Sequence, residues 1–309
     1  MKVPAAAPIA SVLAVATLFA AVPAARQQAT FRARTDVVPV DVSVKDRQRP
    51  VTGLHAGDFQ LVDNEITQQV TEVSYGKVPI DVTVVLDLSR SVTGLLLQRL
   101  RTAIRQLMTD LGKEDRLKLV TFNTRVSRTI DFTNNLEAVD LALRQAIPGG
   151  GSSIWDAVGV SLVAASHPDR RQMIVVFTDA SDITSALDDD MLLDIARRTN
   201  ASVFSVVPTA ISFAGPAGRV VRSGITTSRE GLQTFRALAT ETGGAYIPVA
   251  AGNSADLTAT FRRALDDFRT TYVLHFTPTG VSREGFHELR VTVKGRSNLD
   301  IRARRGYFW

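Results

Sequence analysis

An almost continuous apolar run, from Ile80 to Asp87, is the feature that most constrains the fold of this chain. A strand has this pattern when it is covered on both faces, as in a parallel sheet that lies between two layers of helices. The next segment, Leu95 to Leu111, carries large apolar residues at helical spacing. A buried strand followed directly by an amphipathic helix predicts the first unit of an α/β fold.

The alternation of strand and helix continues to Thr270. Further strands are predicted at Leu117–Phe122, Val126–Phe132, Met173–Thr178, Ser202–Val207 and Ala245–Val249. Further helices are predicted at Leu136–Ala146, Ile154–Ala165, Asp188–Thr199, Arg229–Thr242 and Asp256–Thr270. The order predicts an α/β fold with a doubly wound, mostly parallel, Rossmann-like sheet over residues 79–270, with ligand sites at the carboxyl ends of the strands. The stretch Thr209–Ser228 has no clear period and is predicted to be a functional or mobile loop.

Both flanks of this α/β region have the two-residue alternation of β-strands. Valines occupy every second position from Val38 to Val44, and the alternation returns after Thr271. Neither flank is long enough to bury a good core alone. We therefore predict that residues 33–78 and 271–309 pair into one small all-β accessory domain, in which the α/β domain is inserted. Three arginines near the end are predicted to lie on a solvated strand face: Arg302, Arg304 and Arg305.

The first 25 residues have the pattern of a secretory signal peptide. Lys2 precedes an apolar run, Ala10 to Ala21, and small residues around Ala24 offer a cleavage site. The run is shorter than the roughly 20 residues that span a bilayer, although an uncleaved N-terminal anchor is the alternative. We expect an exported protein, in the periplasm, at the cell surface or outside the cell, with no integral membrane span in the mature chain.

Composition excludes several classes of function. The chain has no cysteine, which excludes disulfides, thiolate metal sites and cysteine nucleophiles. Its four histidines form no zinc-hydrolase motif. The net charge of +5 is small, and no stretch clusters basic with aromatic residues, so no nucleic-acid partner is expected. The sequence leaves the oligomeric state open.

Three polar segments follow predicted strands or lie in a glycine-rich loop. The first is Asp87-x-Ser89-x-Ser91, the second is Gly149–Ser153, and the third is Thr178-Asp179. Carboxylate and hydroxyl oxygens form a hard donor set, which suits Mg²⁺ or Mn²⁺ and not zinc. The alternative for Asp87 and Ser91 is that they cap the helix that follows.

In this order, the three segments resemble the metal-ion-dependent adhesion site of von Willebrand factor type A (vWA) domains. The resemblance covers about residues 79–270, and the flanks, at Val51–Phe59 and at the terminal Arg-Arg-Gly-Tyr, resemble secreted vWA-related proteins of acidobacteria. It implies direct metal ligation by Ser89 and Ser91, with Asp87 and Asp179 binding mostly through water. In the second segment, Ser152 is at the position of the family's hydroxyl ligand. Its neighbour Ser153 is the alternative. Ala180 stands where the family often has glycine.

The implied function is an exported adhesion or protein-binding module that captures an Asp or Glu carboxylate of a protein partner through the cation. An enzyme is not expected, because a serine hydrolase needs a Gly-x-Ser-x-Gly motif and an Asp-x-Asp phosphatase needs a second aspartate where Ser89 stands. A scaffold with a vestigial metal site is the other alternative. The acidic cluster Asp182 and Asp188–Asp190 is predicted to favour a helix N-terminus, with a second cation as the alternative. Trp155 is predicted to pack in the core or at the rim of the site.

Overall fold

Strand and helix alternate along the chain between two strand-rich flanks. A computed structural model describes residues 37–309, apart from Lys77 and the stretches 165–166, 168, 210–211, 215–219, 223–227 and 251–253. The proposed signal peptide lies outside the described residues. The strands are β1 (Val38–Asp46), β2 (Arg49–Pro50), β3 (Phe59–Asp63), β4 (Ile66–Gln68), β5 (Val70–Tyr75), β6 (Ile80–Asp87), β7 (Arg116–Phe122), β8 (Val126–Thr133), β9 (Arg171–Phe177), β10 (Ser202–Thr209), β11 (Ser212–Ala214), β12 (Val220–Arg222), β13 (Ala245–Ala250), β14 (Tyr272–Phe276), β15 (Phe286–Val293), β16 (Asp300–Ala303) and β17 (Gly306–Phe308). The helices are α1 (Gly94–Asp110), α2 (Leu136–Gln145), α3 (Ile154–Val163), α4 (Asp189–Arg197), α5 (Arg229–Thr242) and α6 (Ser254–Arg269).

The central sheet has six strands in the order β13-β10-β9-β6-β7-β8. All neighbours are parallel except β7 and β8, which are antiparallel. Strand β6 is buried along its whole length, because helices cover both faces of the sheet. Val84 faces a core built with α1, α2 and α6, whereas Val85 faces a core built with α3, α4 and α5. The apolar run is thus explained by burial on both sides, as expected for a parallel sheet.

The two flanks contribute strands to the same two antiparallel sheets. Strand β1 lies between β14 and β16, and β14 also pairs with β5. In the second sheet, β15 from the C-terminal flank lies between β3 and β17. The inner faces share one apolar core, which includes Val42, Leu61 and Leu274. Neither flank could bury these side chains without the other.

Ion pairs connect these two sheets to the α/β region. Arg171, at the start of β9, donates to Asp41 of β1 at 2.9 Å. Asp267 of α6 lies 2.6 Å from the ammonium of Lys45 and 2.7 Å from the guanidinium of Arg302. These partners are all half-buried or buried, so they hold the two regions against each other.

Two sequence expectations need correction. Arg304 is buried and not on a solvated face, since its guanidinium donates to the carbonyl of Arg197 at 3.0 Å and burial lowers its pKa to about 10. The alternation of the C-terminal arginines gave no indication that Arg304 contacts the end of α4. The stretch Thr209–Ser228, predicted to be a loop, contains the paired strands β11 and β12.

In the described part of the chain, no helix is long and apolar enough to cross a membrane.

Candidate functional site

Asp87 lies at the carboxyl end of β6, in the middle of the parallel sheet, and its side chain is fully buried. Its Oδ1 accepts a hydrogen bond from the backbone N–H of Ser89 at 2.7 Å, which fixes the turn that leaves the strand. Its Oδ2 accepts from the hydroxyls of Thr178 at 2.8 Å and Ser152 at 3.3 Å. One carboxylate therefore joins three segments that are distant in sequence.

Ser89 and Ser91 lie on the turn after Asp87, with their hydroxyl oxygens 3.0 Å apart. Ser89 is buried and Ser91 is half-buried. Helix α1 begins only at Gly94, and its N-cap residue, Thr93, makes no side-chain capping bond. Helix capping by Asp87 or Ser91 is therefore not what this structure shows. The side chain of Ser89 also hydrogen-bonds Asp87, so Ser91 is linked to that carboxylate through Ser89.

The glycine-rich loop brings Ser152, and not Ser153, to Asp87. The hydroxyl of Ser153 instead donates to the carbonyl of Thr124 at 3.1 Å and lies 2.7 Å from the hydroxyl of Thr184. The loop reaches this position through Gly150, whose φ of +79° favours glycine and whose hypothetical Cβ would lie 2.5 Å from Oγ1 of Thr124. A larger residue there would displace the loop.

The third segment follows β9. Thr178 donates to Asp87, and Oδ1 of Asp179 accepts from the backbone N–H of Ser181 at 3.1 Å. The next residue, Ala180, is buried and has a φ of +64°, a conformation that costs an alanine more than a glycine. Its carbonyl lies so close to α5 that a Cβ on Gly231 would be 2.0 Å away. The loop is therefore fixed between its own strand and α5.

Burial raises the pKa of the Asp87 carboxyl, and the negative charge of Asp179 raises it further. Hydrogen bonds from the side chain and backbone of Ser89 and from Thr178 lower it, without cancelling the effect of burial. Within the part of the chain that the structure describes, the groups that hydrogen-bond Asp87 are neutral. A buried carboxylate is costly to ionise when no cationic group hydrogen-bonds it, and none does in the described part of the chain.

The predicted site residues are therefore not all in direct contact with Asp87. Asp87, Ser89 and Ser152 are linked directly, Ser91 is linked through Ser89, and Asp179 acts on Asp87 through its charge. Thr178 belongs to the third segment but is not among the predicted ligands, although its hydroxyl donates to Asp87 at 2.8 Å. Its place as the first residue after a buried strand was the available signal. The described residues contain no group of three or more His, Asp or Glu side chains that could hold a metal.

Two acidic residues beyond Asp179, Asp182 and Asp188, cap helices. Asp188 accepts from the N–H of Met191 at 2.8 Å and caps its own helix, α4. Asp182 instead caps α3 from another loop, accepting from the N–H of Ile154 at 2.6 Å. Trp155, beside it, is buried with its ring 5.2 Å from that of Phe235, as predicted for a packing role. These contacts account for Asp182 and Asp188 without a second cation.

Residues 82–181 match the family model of the von Willebrand factor type A domain. The chain contains a vWA domain. The matched residues include all three segments of the site, from Asp87 to Asp179. Domains of this family bind protein partners.

Known proteins resemble parts of this chain. Inter-alpha-trypsin inhibitor heavy chain H4 of Sus scrofa is 26% identical over 132 residues, which are 42% of this chain and 14% of that protein. The match therefore spans a small part of that relative's length. Among solved structures, von Willebrand factor type A from Catenulispora acidiphila is 9% identical, with a TM-score of 0.49 over 90% of this chain and 75% of that chain. The PilB minor pilin of Streptococcus sanguinis is 15% identical, with a TM-score of 0.48 over 62% of each chain.

Proposed function

We propose that this protein is an exported, non-enzymatic adhesion or protein-binding module that binds Mg²⁺ or Mn²⁺ and captures a carboxylate of a protein partner. The proposed ligand set is Asp87, Ser89, Ser91, Ser152 and Asp179. The observation that carries the proposal is the fully buried Asp87 carboxylate, which neutral groups alone hydrogen-bond in the described part of the chain.

The donor set fits a hard divalent cation. It offers only carboxylate and hydroxyl oxygens, the ligands that Mg²⁺ and Mn²⁺ prefer. Burial and the charge of Asp179 raise the pKa of Asp87, and a nearby cation would offset both effects. When bound, the ion would offer an open coordination position to an Asp or Glu side chain of the partner.

The hydrogen bonds also prepare the hydroxyls for this role. The hydroxyl of Ser152 donates a hydrogen bond to Asp87, and this leaves the lone pairs of its oxygen directed away from the carboxylate. Asp87 itself is held by the backbone N–H of Ser89, so its position does not depend on the ion. We therefore assign Asp87 the role of orienting the hydroxyls, with its charge available to a cation.

The remaining parts of the proposal concern the rest of the chain. Residues 1–25 would direct export, as their sequence pattern predicts. The strands of both flanks would form the accessory domain that carries the vWA domain, which the shared core of the two antiparallel sheets supports.

Calorimetric titration with Mg²⁺ and with Mn²⁺ tests the proposal. We expect the wild type to bind the ion at millimolar concentrations or below, and Asp87→Ala to abolish the binding heat. Asp188→Asn is the matched control, because it removes a charge from the same end of the molecule while asparagine keeps the cap of α4. Absence of binding to the wild type would instead favour the scaffold with a vestigial site.

A further inference from the structure

Each of the three segments that form the site has one large, exposed aliphatic side chain on it or just beside it. Ile147 is 80% exposed, Ile183 is 72% exposed and Leu95 is 59% exposed. Among the described residues, they are three of the four most exposed large hydrophobic side chains, the other being Val163. One exposed aliphatic residue is ordinary on a protein surface, but three beside one site need a reason.

All three residues lie near the proposed ligands along the chain or through backbone hydrogen bonds. The N–H of Ile183 donates to the carbonyl of Ser152 at 2.9 Å. Ile147 precedes Gly149 by two residues, and the N–H of Gly149 donates to the carbonyl of Leu88 at 2.8 Å. Leu95 lies in the first turn of α1, four residues after Ser91. We call these three side chains the apolar rim.

The apolar rim is suited to contact another protein. Its exposed side chains lose contact with water when a partner covers them, which is favourable in proportion to the area covered. Ile147 and Ile183 are β-branched, so they lose little rotamer freedom on binding. Exposed Arg90 lies on the same turn as Ser89 and adds positive charge that complements an acidic partner.

We infer that the partner offers an acidic residue flanked by large aliphatic residues, the acid occupying the cation site and the aliphatic side chains covering the apolar rim. This inference rests on the proposed function and specifies the class of partner. A partner that presents an acid among polar residues would leave the rim exposed, and it would lose the favourable contribution of apolar burial.

The test uses a library of random, disulfide-closed heptapeptides displayed on phage. The full-length protein is immobilised in Mg²⁺, and bound phage are eluted with EDTA, so that only cation-dependent peptides are recovered. We expect recovered peptides to contain Asp or Glu with Leu, Ile, Val, Phe or Met within two positions on either side.

Binding of one recovered peptide is then measured with rim variants. We expect Leu95→Ser, Ile147→Ser and Ile183→Ser each to weaken binding about tenfold, equivalent to about 1.4 kcal/mol. Val163→Ser is the matched control. Val163 is 64% exposed but ends α3, roughly 15 Å along the helix from its start beside Ser153. This control should bind like the wild type.

The failures of the two proposals are distinguishable because Mg²⁺ binding is measured separately. If Mg²⁺ binds but the eluted peptides show no aliphatic enrichment, or no peptide is eluted, the inference is overturned and the proposed cation site stands. If the rim variants and Val163→Ser behave alike, the inference is also overturned. If the wild type does not bind Mg²⁺ at all, both proposals fail.

Discussion

Strand β6 carries a fully buried carboxylate near each end, and the two differ in the charge of the groups that hydrogen-bond them. At the amino end, Asp81 accepts two hydrogen bonds from the guanidinium of Arg116, at 2.9 and 2.7 Å, and one from Arg170 at 2.6 Å. At the carboxyl end, Asp87 accepts only from hydroxyls and a backbone amide in the described part of the chain.

The difference distinguishes the two edges of the sheet by the charge of the groups that surround the buried acid. Two arginines neutralise Asp81, and Arg170 also donates to the carbonyl of Ile80 at 3.2 Å, which ties the loop before β9 to β6. In the described part of the chain, no arginine hydrogen-bonds Asp87, and a second acid, Asp179, lies near enough to raise its pKa. Among the described residues, two arginines hydrogen-bond Asp81 and none hydrogen-bonds Asp87, and this difference supports the proposed cation site beside Asp87.

Removal of the neutralised acid should have the largest effect on stability. We expect Asp81→Ala to reduce the free energy of unfolding by about 3 kcal/mol, because it leaves Arg116 and Arg170 without their anionic partner in a partly buried place. Urea unfolding measures this change. The comparison is Asp87→Ala, which should change stability by no more than about 1 kcal/mol. Equal losses in the two variants would contradict the division of roles.

The contact between the vWA domain and the antiparallel sheets gives the second prediction. Burial alone would raise the pKa of Asp267, but Arg302 and Lys45 outweigh it and lower the pKa overall. Because the folded-state pKa is lowered, the stabilisation is present above the unfolded pKa of about 4 and is lost as the pH falls through the folded value. We expect Asp267→Asn to cost about 2 kcal/mol at neutral pH and to flatten the acid side of the stability curve.

Its control is Asp266→Asn, a change of the exposed neighbour on the same helix. That variant should keep the pH dependence of the wild type. A pH profile of Asp267→Asn identical to that of the wild type would mean that this ion cluster does not hold the two regions together.

The pH dependence of Asp87 should have the opposite sign in the metal-free protein. Its folded-state pKa is raised, mainly by burial, so the cost of its charge is absent below the unfolded pKa of about 4 and develops as the pH rises through the folded value. In EDTA, Asp87→Asn should therefore gain stability relative to the wild type as the pH rises, by about 1 kcal/mol at neutral pH. Thermal melts from pH 3.5 to 7.5 test this, and parallel curves would show that Asp87 is not destabilising.

The smallest effect is expected at Ala180. A glycine would relieve the cost of a φ of +64°, but it would also increase the conformational freedom of the unfolded chain. The two contributions nearly cancel, so Ala180→Gly should change the free energy of unfolding by less than about 0.5 kcal/mol. A larger loss in urea unfolding would show that the alanine methyl group holds the loop against α5.

The local pattern of the sequence predicted most of the fold. Helix α5 spans Arg229–Thr242 as predicted, because Ser228 caps it and Gly243, with a φ of +72°, ends it. The three-residue strand β17 was missed, because a segment so short has no measurable period. The paired flanks could be predicted, since each has one apolar face that needs a partner.

The motifs predicted which residues come together at this edge of the sheet, but not their individual contacts. Asp87, Ser89 and Ser152 could be grouped because they follow strand ends or lie in a glycine-rich loop, whereas the choice between Ser152 and Ser153 needed coordinates. Asp182 caps a helix whose first residue precedes it by 28 positions, a contact that no local pattern indicates. In the same way, Asp81 appeared as one polar residue in an apolar strand, because its partner Arg170 is 89 residues away.

The central claim is that the charge of Asp87 is left for a cation, and the effect of Mg²⁺ on thermal stability tests it most directly. Melting temperatures of the wild type and Asp87→Asn are compared in EDTA and in excess Mg²⁺ at neutral pH. A ligand at 100 times its dissociation constant stabilises the folded state by about 2.7 kcal/mol, so the wild type should melt several degrees higher in Mg²⁺. Asp87→Asn should melt at the same temperature in both solutions. No rise in the wild type, or an equal rise in the variant, would contradict the claim.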